Sequence, residues 1–305
     1  MSGPFAGQFN PARKALFVRT SVKISASLAA AAALTLGLGA CSAPSDPKKE
    51  TTAGKKADPA ATLTVAASPT PHALILEYVK DNLAAKEGLK LDVKVFDDYV
   101  QPNKATEHGD VDANFFQHKP YLDDFNKQNK THIVPVVNVE IEPLGLYSKK
   151  ADKLGDLKSG QTVAVPNDAT NEGRALKLLA DNGVIELRDG AGSNATLADI
   201  KDTKGLKFTE LEAAQIAPRL DGFDAAVING NFAIGAQLKP STDALALEKG
   251  EGNPYANFLA VKAGNESDPR IVKLSKLLNS DEVKKFIESK FGDGSVIPAF
   301  GAVKS

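Results

Sequence analysis

Two short stretches carry most of the chemical potential of this sequence, each where a β-like run gives way to a helical pattern. In Pro166-Asn167-Asp168-Ala169-Thr170-Asn171-Glu172-Gly173-Arg174-Ala175-Leu176, Asn167, Asp168, Thr170 or Asn171 can cap the helix, and Glu172 suits the positive end of its dipole. Arg174 is the odd member, because a cation in a first helical turn is mildly unfavourable. Two accounts stay open for it. It is solvated or paired with Glu172, or it joins the free helical N–H groups in receiving an anion, most simply a carboxylate in bidentate geometry. In Asp112-Ala113-Asn114-Phe115-Phe116-Gln117-His118-Lys119-Pro120-Tyr121-Leu122, aromatic and polar side chains crowd the C-terminal end of a strand, the place where α/β lobes bind ligands. Phe115 reads as core. Phe116 and Tyr121 fit either core or the wall of a cleft, and His118 between them calls for a polar role.

Other constellations are weaker. Gly190-Ala191-Gly192-Ser193-Asn194-Ala195 matches the loose dinucleotide pattern, but no clear strand precedes it and no βαβ unit opens there, so it reads as a surface turn. His108, Asp110, Asp112 and His118 could gather around a metal, yet Gly109 to Asp112 reads equally well as a turn entering a strand, and His108 and His132 default to polar surface roles. No Walker A loop, nucleophile elbow or paired-histidine zinc-protease motif appears. No enzyme activity, cofactor or resident metal is therefore expected.

These residues need a scaffold, and the chain alternates β-like and helical runs from Leu63 onward, the pattern of an α/β protein. Strands are predicted at Leu63 to Ala67, Leu89 to Val95, Val111 to Phe116, Ile133 to Val139, Leu144 to Ser148, Thr162 to Val165, Lys207 to Leu211, Ala225 to Ile228 and Tyr255 to Val261. Helices are predicted after Pro71 and over Lys119 to Gln128, Asn171 to Asp181, Ala213 to Leu220, Pro269 to Leu278 and Asp281 to Phe291. Two lobes with the chain crossing between them near Glu140–Gly145 and Asn253–Phe258 fit better than one long sheet.

The 305 residues suffice for one large or two moderate domains, and 42% hydrophobic with 25% charged residues is the composition of a folded soluble body. Net charge is −1. The first forty residues hold four basic and no acidic side chains, which leaves 33 basic against 38 acidic groups for the rest. A mildly acidic body argues against nucleic acid as a partner.

That basic start is followed by an apolar run from Ile24 to Leu38, about 22 Å as a helix and short of a hydrocarbon core of about 30 Å. It reads as an export signal rather than a permanent span. The run ends in Leu38-Gly39-Ala40-Cys41, which resembles the bacterial lipobox, where the cysteine is acylated and becomes the first residue of the mature chain. Residues 1–40 are then a lipoprotein signal peptide. Residues 41–62, without a large apolar side chain, form a flexible tether from lipidated Cys41, and acyl chains supply the membrane anchor.

A series of stretches in constant order now suggests a family: Ala67-Ser68-Pro69-Thr70-Pro71-His72, Asp98-Tyr99-Val100-Gln101-Pro102-Asn103, Phe116-Gln117-His118-Lys119-Pro120-Tyr121-Leu122, Glu142-Pro143-Leu144-Gly145-Leu146-Tyr147-Ser148, Asn171-Glu172-Gly173-Arg174-Ala175-Leu176, Ala226-Val227-Ile228-Asn229-Gly230-Asn231 and Asn253-Pro254-Tyr255-Ala256-Asn257. Together they resemble the methionine-binding lipoproteins that serve ABC importers as substrate-binding proteins. Ala169 stands where that family is expected to have proline, and Phe232 where tyrosine is common.

The resemblance implies a two-lobed periplasmic-binding-protein fold, type II-like, with a ligand cleft between lobes formed by residues 63–143 with 256–305 and by 144–255. It implies an aromatic box of Tyr99, Phe116 and Tyr121, with His118, Asn171, Arg174, Asn229 and Asn257 as polar contacts. The expected partners are methionine, the membrane permease subunits of an ABC importer with their ATPase, and the outer face of the cytoplasmic membrane, reached through the lipid anchor. Nucleic acid is not expected, and the protein should be a monomer. The rival readings are a binding protein for a metal ion or another small ligand, and an exported hydrolase.

Overall fold

The computed structural model describes residues 58–250 and 252–303. The signal segment, Cys41 and most of the tether lie outside the described residues.

The first lobe starts with β1 (Leu63–Ala67), a run of buried apolar residues suited to a strand covered on both faces. It is followed by α1 (Leu74–Asn82), β2 (Leu91–Val95), α2 (Gln101–His108), β3 (Ala113–His118), α3 (Lys119–Asn129) and β4 (Ile133–Ile141). β1 lies parallel to both β2 and β3. Leu63, Val65, Ile75, Leu76, Val79 and Phe115 form the centre of its core.

The chain then crosses to a second sheet. There β5 (Gly145–Tyr147), β6 (Thr162–Pro166), α4 (Ala169–Asp181), the short ribbon β7 (Glu186–Leu187) with β8 (Ile200–Asp202), and β9 (Lys207–Leu211) are followed by α5 (Ala213–Ile216), β10 (Ala225–Ile228), α6 (Gly230–Gly235), α7 (Pro240–Asp243) and β11 (Ala244–Leu247). A second crossing returns it to the first lobe as β12 (Asn257–Lys262), α8 (Pro269–Leu278), α9 (Asp281–Lys290) and β13 (Ile297–Gly301). The sheets run β13-β4-β12-β3-β1-β2 and β11-β5-β10-β6-β9, with separate cores beneath the second sheet on each face. This is the two-lobed α/β architecture that the resemblance implies. Among the described residues no helix is long and apolar enough to cross a membrane.

Several elements differ from the sequence expectation for identifiable reasons. The helix predicted over Ala213 to Leu220 is α5 followed by a 3₁₀ segment from Ala217 to Gly222, because Pro218 cannot donate the hydrogen bond that would continue the α-helix. α2 is absent from the expectation because its buried face is polar, Asn103 and Thr106, and apolar periodicity does not reveal such a helix. β13 also escaped: it carries Pro298 and Gly301 and is an edge strand, the position where proline is tolerated. The glycine-rich stretch at 190–195 is a turn with Gly190 and Gly192 at φ 82° and 54°, leading into one short 3₁₀ segment. It packs against α4 so closely that a Cβ on Gly173 would collide with the Ser193 carbonyl.

Candidate functional site

The strand ends aim side chains from both lobes at one narrow interlobe cavity. All eight residues singled out by the sequence line it: Tyr99, Phe116, His118 and Tyr121 from the first lobe, Asn171, Arg174 and Asn229 from the second, and Asn257 at the start of β12. The structure thus brings together every side chain expected at the site.

One end is aromatic. The Tyr99 ring centroid lies 5.8 Å from Phe116 and 5.6 Å from Tyr121, and Phe116 and Tyr121 are 6.2 Å apart. The box is pinned through its hydroxyls: Tyr121 donates to the Tyr99 carbonyl at 3.0 Å, and Tyr99 donates across the cleft to Asn231 Oδ1 at 2.6 Å. Burial pushes both phenols to higher pKa, so they stay neutral.

The other end is built by a chain of hydrogen bonds that fixes which atoms remain free. Pro120 opens α3, and His118 caps it, Nδ1 accepting from the Tyr121 N–H at 3.3 Å. An accepting Nδ1 leaves the proton on Nε2, which donates to Asn171 Oδ1 at 3.1 Å across the lobes. Burial first, then the charge of Arg174, holds His118 neutral, its pKa pushed down to about 3. Asp168 caps α4 and receives both the backbone N–H and the side-chain Nδ2 of Asn171, which orients that amide. Asn171 Oδ1 then also accepts from Asn229 Nδ2 at 3.0 Å. Asn229 Oδ1 is left buried with no partner among the described residues. Asn257 repeats the pattern: its Nδ2 faces His72 Nε2 at 3.2 Å and Glu142 Oε1 at 3.5 Å, and its Oδ1 has no partner among the described residues.

Arg174 is buried to 4% exposure, and Glu172 is not its partner. The Glu172 carboxylate accepts from the Leu197 N–H at 2.8 Å. Arg174 instead engages Glu248, 74 residues away, through Nε at 2.8 Å and Nη2 at 2.5 Å, and Nη2 also donates to the Glu142 carbonyl at 3.1 Å. The Tyr255 ring lies 4.2 Å from the guanidinium carbon, a cation–π contact that holds the plane of the charge. Among the described residues Nη1 has no hydrogen-bond partner, and the residue lines the cavity.

Sequence reasoning missed Glu142, Tyr255, Asn231, Gly230 and Gln117 as lining residues, and Glu248 behind them. Glu142 and Tyr255 lie in the two crossings, and any segment crossing between lobes passes the cleft, which was a usable signal. Burial and the neighbouring Glu140 raise the Glu142 carboxyl well above its ordinary range, against smaller opposing contributions from the Asn231 amide and Arg174. The rival metal cluster at His108, Asp110, Asp112 and His118 does not form. His118 points into the cleft toward Asn171, and Asp112 is held by Thr64 and Arg270.

Comparison with known proteins agrees with this architecture. The NlpA lipoprotein family profile matches residues 63–300. The methionine-binding lipoprotein MetQ of Bacillus subtilis is 41% identical over 241 residues, covering 77% of this chain and 87% of that protein. A nutrient-binding protein from Burkholderia cenocepacia, solved bound to methionine, superposes with a TM-score of 0.75 at 46% identity, over 78% of this chain and all of the other. A periplasmic substrate-binding protein of an ABC transporter from Coxiella burnetii superposes at 0.73 and 41% identity over 78% of this chain and all of that one. With the profile spanning both lobes and the cavity between them, this chain belongs to the NlpA lipoprotein family.

Proposed function

We propose that the protein captures methionine outside the cell in the interlobe cavity and delivers it to the membrane permease of an ABC importer. The observation that carries this reading is the make-up of the cavity: three packed rings line it together with a buried guanidinium and two amide oxygens that have no partner among the described residues. A thioether gains about 0.3–1.5 kcal/mol from each aromatic contact, which suits the box of Tyr99, Phe116 and Tyr121. Arg174 Nη1 receives the α-carboxylate, and Asn229 Oδ1 and Asn257 Oδ1 accept from the α-ammonium. Unless both charges are satisfied, burying the zwitterion costs several kcal/mol. His118 and Asn171 position Asn229 through the chain of hydrogen bonds described above. The names of the relatives support the choice of ligand.

The lobes act as two bodies, residues 63–143 with 256–305 and residues 144–255, hinged at the crossings. The Tyr99–Asn231 and His118–Asn171 bonds link them in the closed state. Cys41 carries the lipid, and residues 41–62 let a monomeric body reach the permease, whose cytoplasmic ATPase drives uptake. No bond is made or broken by this protein.

Mass spectrometry of small molecules released from gently purified, denatured protein tests the reading. Methionine near one equivalent is expected, and calorimetric titration of the stripped protein should restore it. A different amino acid, or no heat with methionine, contradicts the proposal.

A further inference from the structure

Beneath the cavity lies a group of side chains that methionine capture does not use in full. His72 and Glu140 are 0% exposed and Glu142 and Asn257 are 6% exposed. His72 Nε2 stands 3.2 Å from Glu140 Oε1, 3.3 Å from Glu142 Oε1 and 3.2 Å from Asn257 Nδ2, and Asn257 Nδ2 is 3.5 Å from Glu142 Oε1. Despite that proximity, neither Glu140 oxygen makes a hydrogen bond among the described residues. Arg174, whose Nη2 reaches the Glu142 carbonyl, is committed to Glu248. Two buried carboxyl groups therefore converge on one imidazole nitrogen.

We propose that His72, Glu140 and Glu142, completed by Asn257, bind a divalent transition-metal ion of the zinc class. Zinc bonds of about 2.0–2.2 Å to nitrogen and oxygen in a tetrahedron set neighbouring donor atoms about 3.3–3.6 Å apart, and the four separations above lie at or within a tenth of an ångström of that interval. One imidazole nitrogen and two carboxylates are a ligand set that suits this ion. Asn257 supplies the fourth position by turning its amide half a rotation, which places Oδ1 where Nδ2 stands. Glu142 and Asn257 line the interlobe cavity, so the cleft is the entry path. The turned Asn257 presents N–H groups to the cavity in place of its acceptor. Metal therefore opposes the binding of an ammonium group there, a consequence that rests on the methionine reading although the metal site itself does not.

The test uses protein purified from membranes in detergent, stripped with chelator and equilibrated with Co²⁺ alone. About one Co²⁺ per chain should survive gel filtration, with visible bands of a tetrahedral ion that Zn²⁺ abolishes. E140Q and H72Q should each weaken Co²⁺ binding more than about tenfold. H132A, which removes the exposed histidine beside Glu107, should leave it unchanged. Circular dichroism identifies a variant that has not folded, and the other then decides. No retained Co²⁺ in the parent protein, or uptake unaltered in a folded E140Q or H72Q, overturns the proposal. Methionine titration in chelator reports on the transport reading separately.

Discussion

Asn103, Thr106, Asn114 and Gln117 form a buried cluster between α2 and β3 in which every side-chain oxygen has a donor. Across the same strand, the cluster of His72, Glu140, Glu142 and Asn257 leaves His72 Nδ1, both Glu140 oxygens and Asn257 Oδ1 without a partner among the described residues, a state shared by Asn229 Oδ1 in the cavity lining. An unpaired buried polar group costs about 1–3 kcal/mol, so the first cluster repays its burial inside the protein and the second does not. The matched cluster supports β3, whose end carries Phe116 and His118. The unmatched one is where we place a guest.

The sharpest way to break this contrast is Arg174→Ala. Removing one partner of a buried ion pair costs about 3–5 kcal/mol, and here the same group is assigned to the ligand carboxylate. Methionine affinity should fall by more than about a hundredfold in a calorimetric titration, with a lowered melting temperature from the stranded Glu248. Near-normal affinity would remove Arg174 from the site.

Two matched substitutions sharpen it further. Asn103→Ala takes the donor from Gln117 Oε1 and one acceptor from each of Asn114 and Gln117, so denaturant unfolding should register a loss of about 2 kcal/mol while methionine affinity stays within about threefold. Asn229→Ala should do the reverse, losing about 2 kcal/mol of affinity through one bond to a charged ammonium with stability nearly unchanged. If both variants lose stability alone, the distinction between the clusters fails.

Acid provides a gentler probe. In the unfolded chain His118 takes up a proton near pH 6.5, whereas in the fold it resists protonation until about pH 3. The unfolded state binds more protons in that window, so this residue makes stability fall as pH drops from about 6.5 toward 3, by up to about 1.4 kcal/mol per unit. Glu142 acts oppositely, because a carboxyl that keeps its proton in the fold favours the folded state as pH falls. The difference between parent and His118→Gln isolates the histidine: it should shift steadily below pH 6.5 and stay flat above it. The smallest effect is Tyr99→Phe, which loses the interlobe bond to Asn231 and about 1 kcal/mol of methionine affinity.

The sequence made the cavity-facing side chains legible where local chemistry disturbed a pattern. Arg174 stood out as a cation expected in a first helical turn, although α4 starts at Ala169 and so places it in the second turn, and His118 as a polar residue between aromatics, which the structure explains as the cap of α3. What stayed hidden depends on pairing across long separations. Glu248 meets Arg174 over 74 residues, and nothing local marks it. Nothing local joins His72, just before the first helix, to Glu140, at the first crossing, until the fold places them 3.2 Å apart. The alternation of strands and helices was legible for the same reason that α2 was not: apolar periodicity reports burial among apolar groups, and α2 is buried against amides.

The account stands or falls on the orientation of the guest. A crystal of the protein grown with selenomethionine as ligand, measured at the selenium edge, locates one heavy atom. The predicted anomalous peak lies about 5 Å from the rings of Tyr99, Phe116 and Tyr121, with the ligand carboxylate on Arg174. A peak beside Arg174, or outside the interlobe cavity, would contradict the assignment of the two ends.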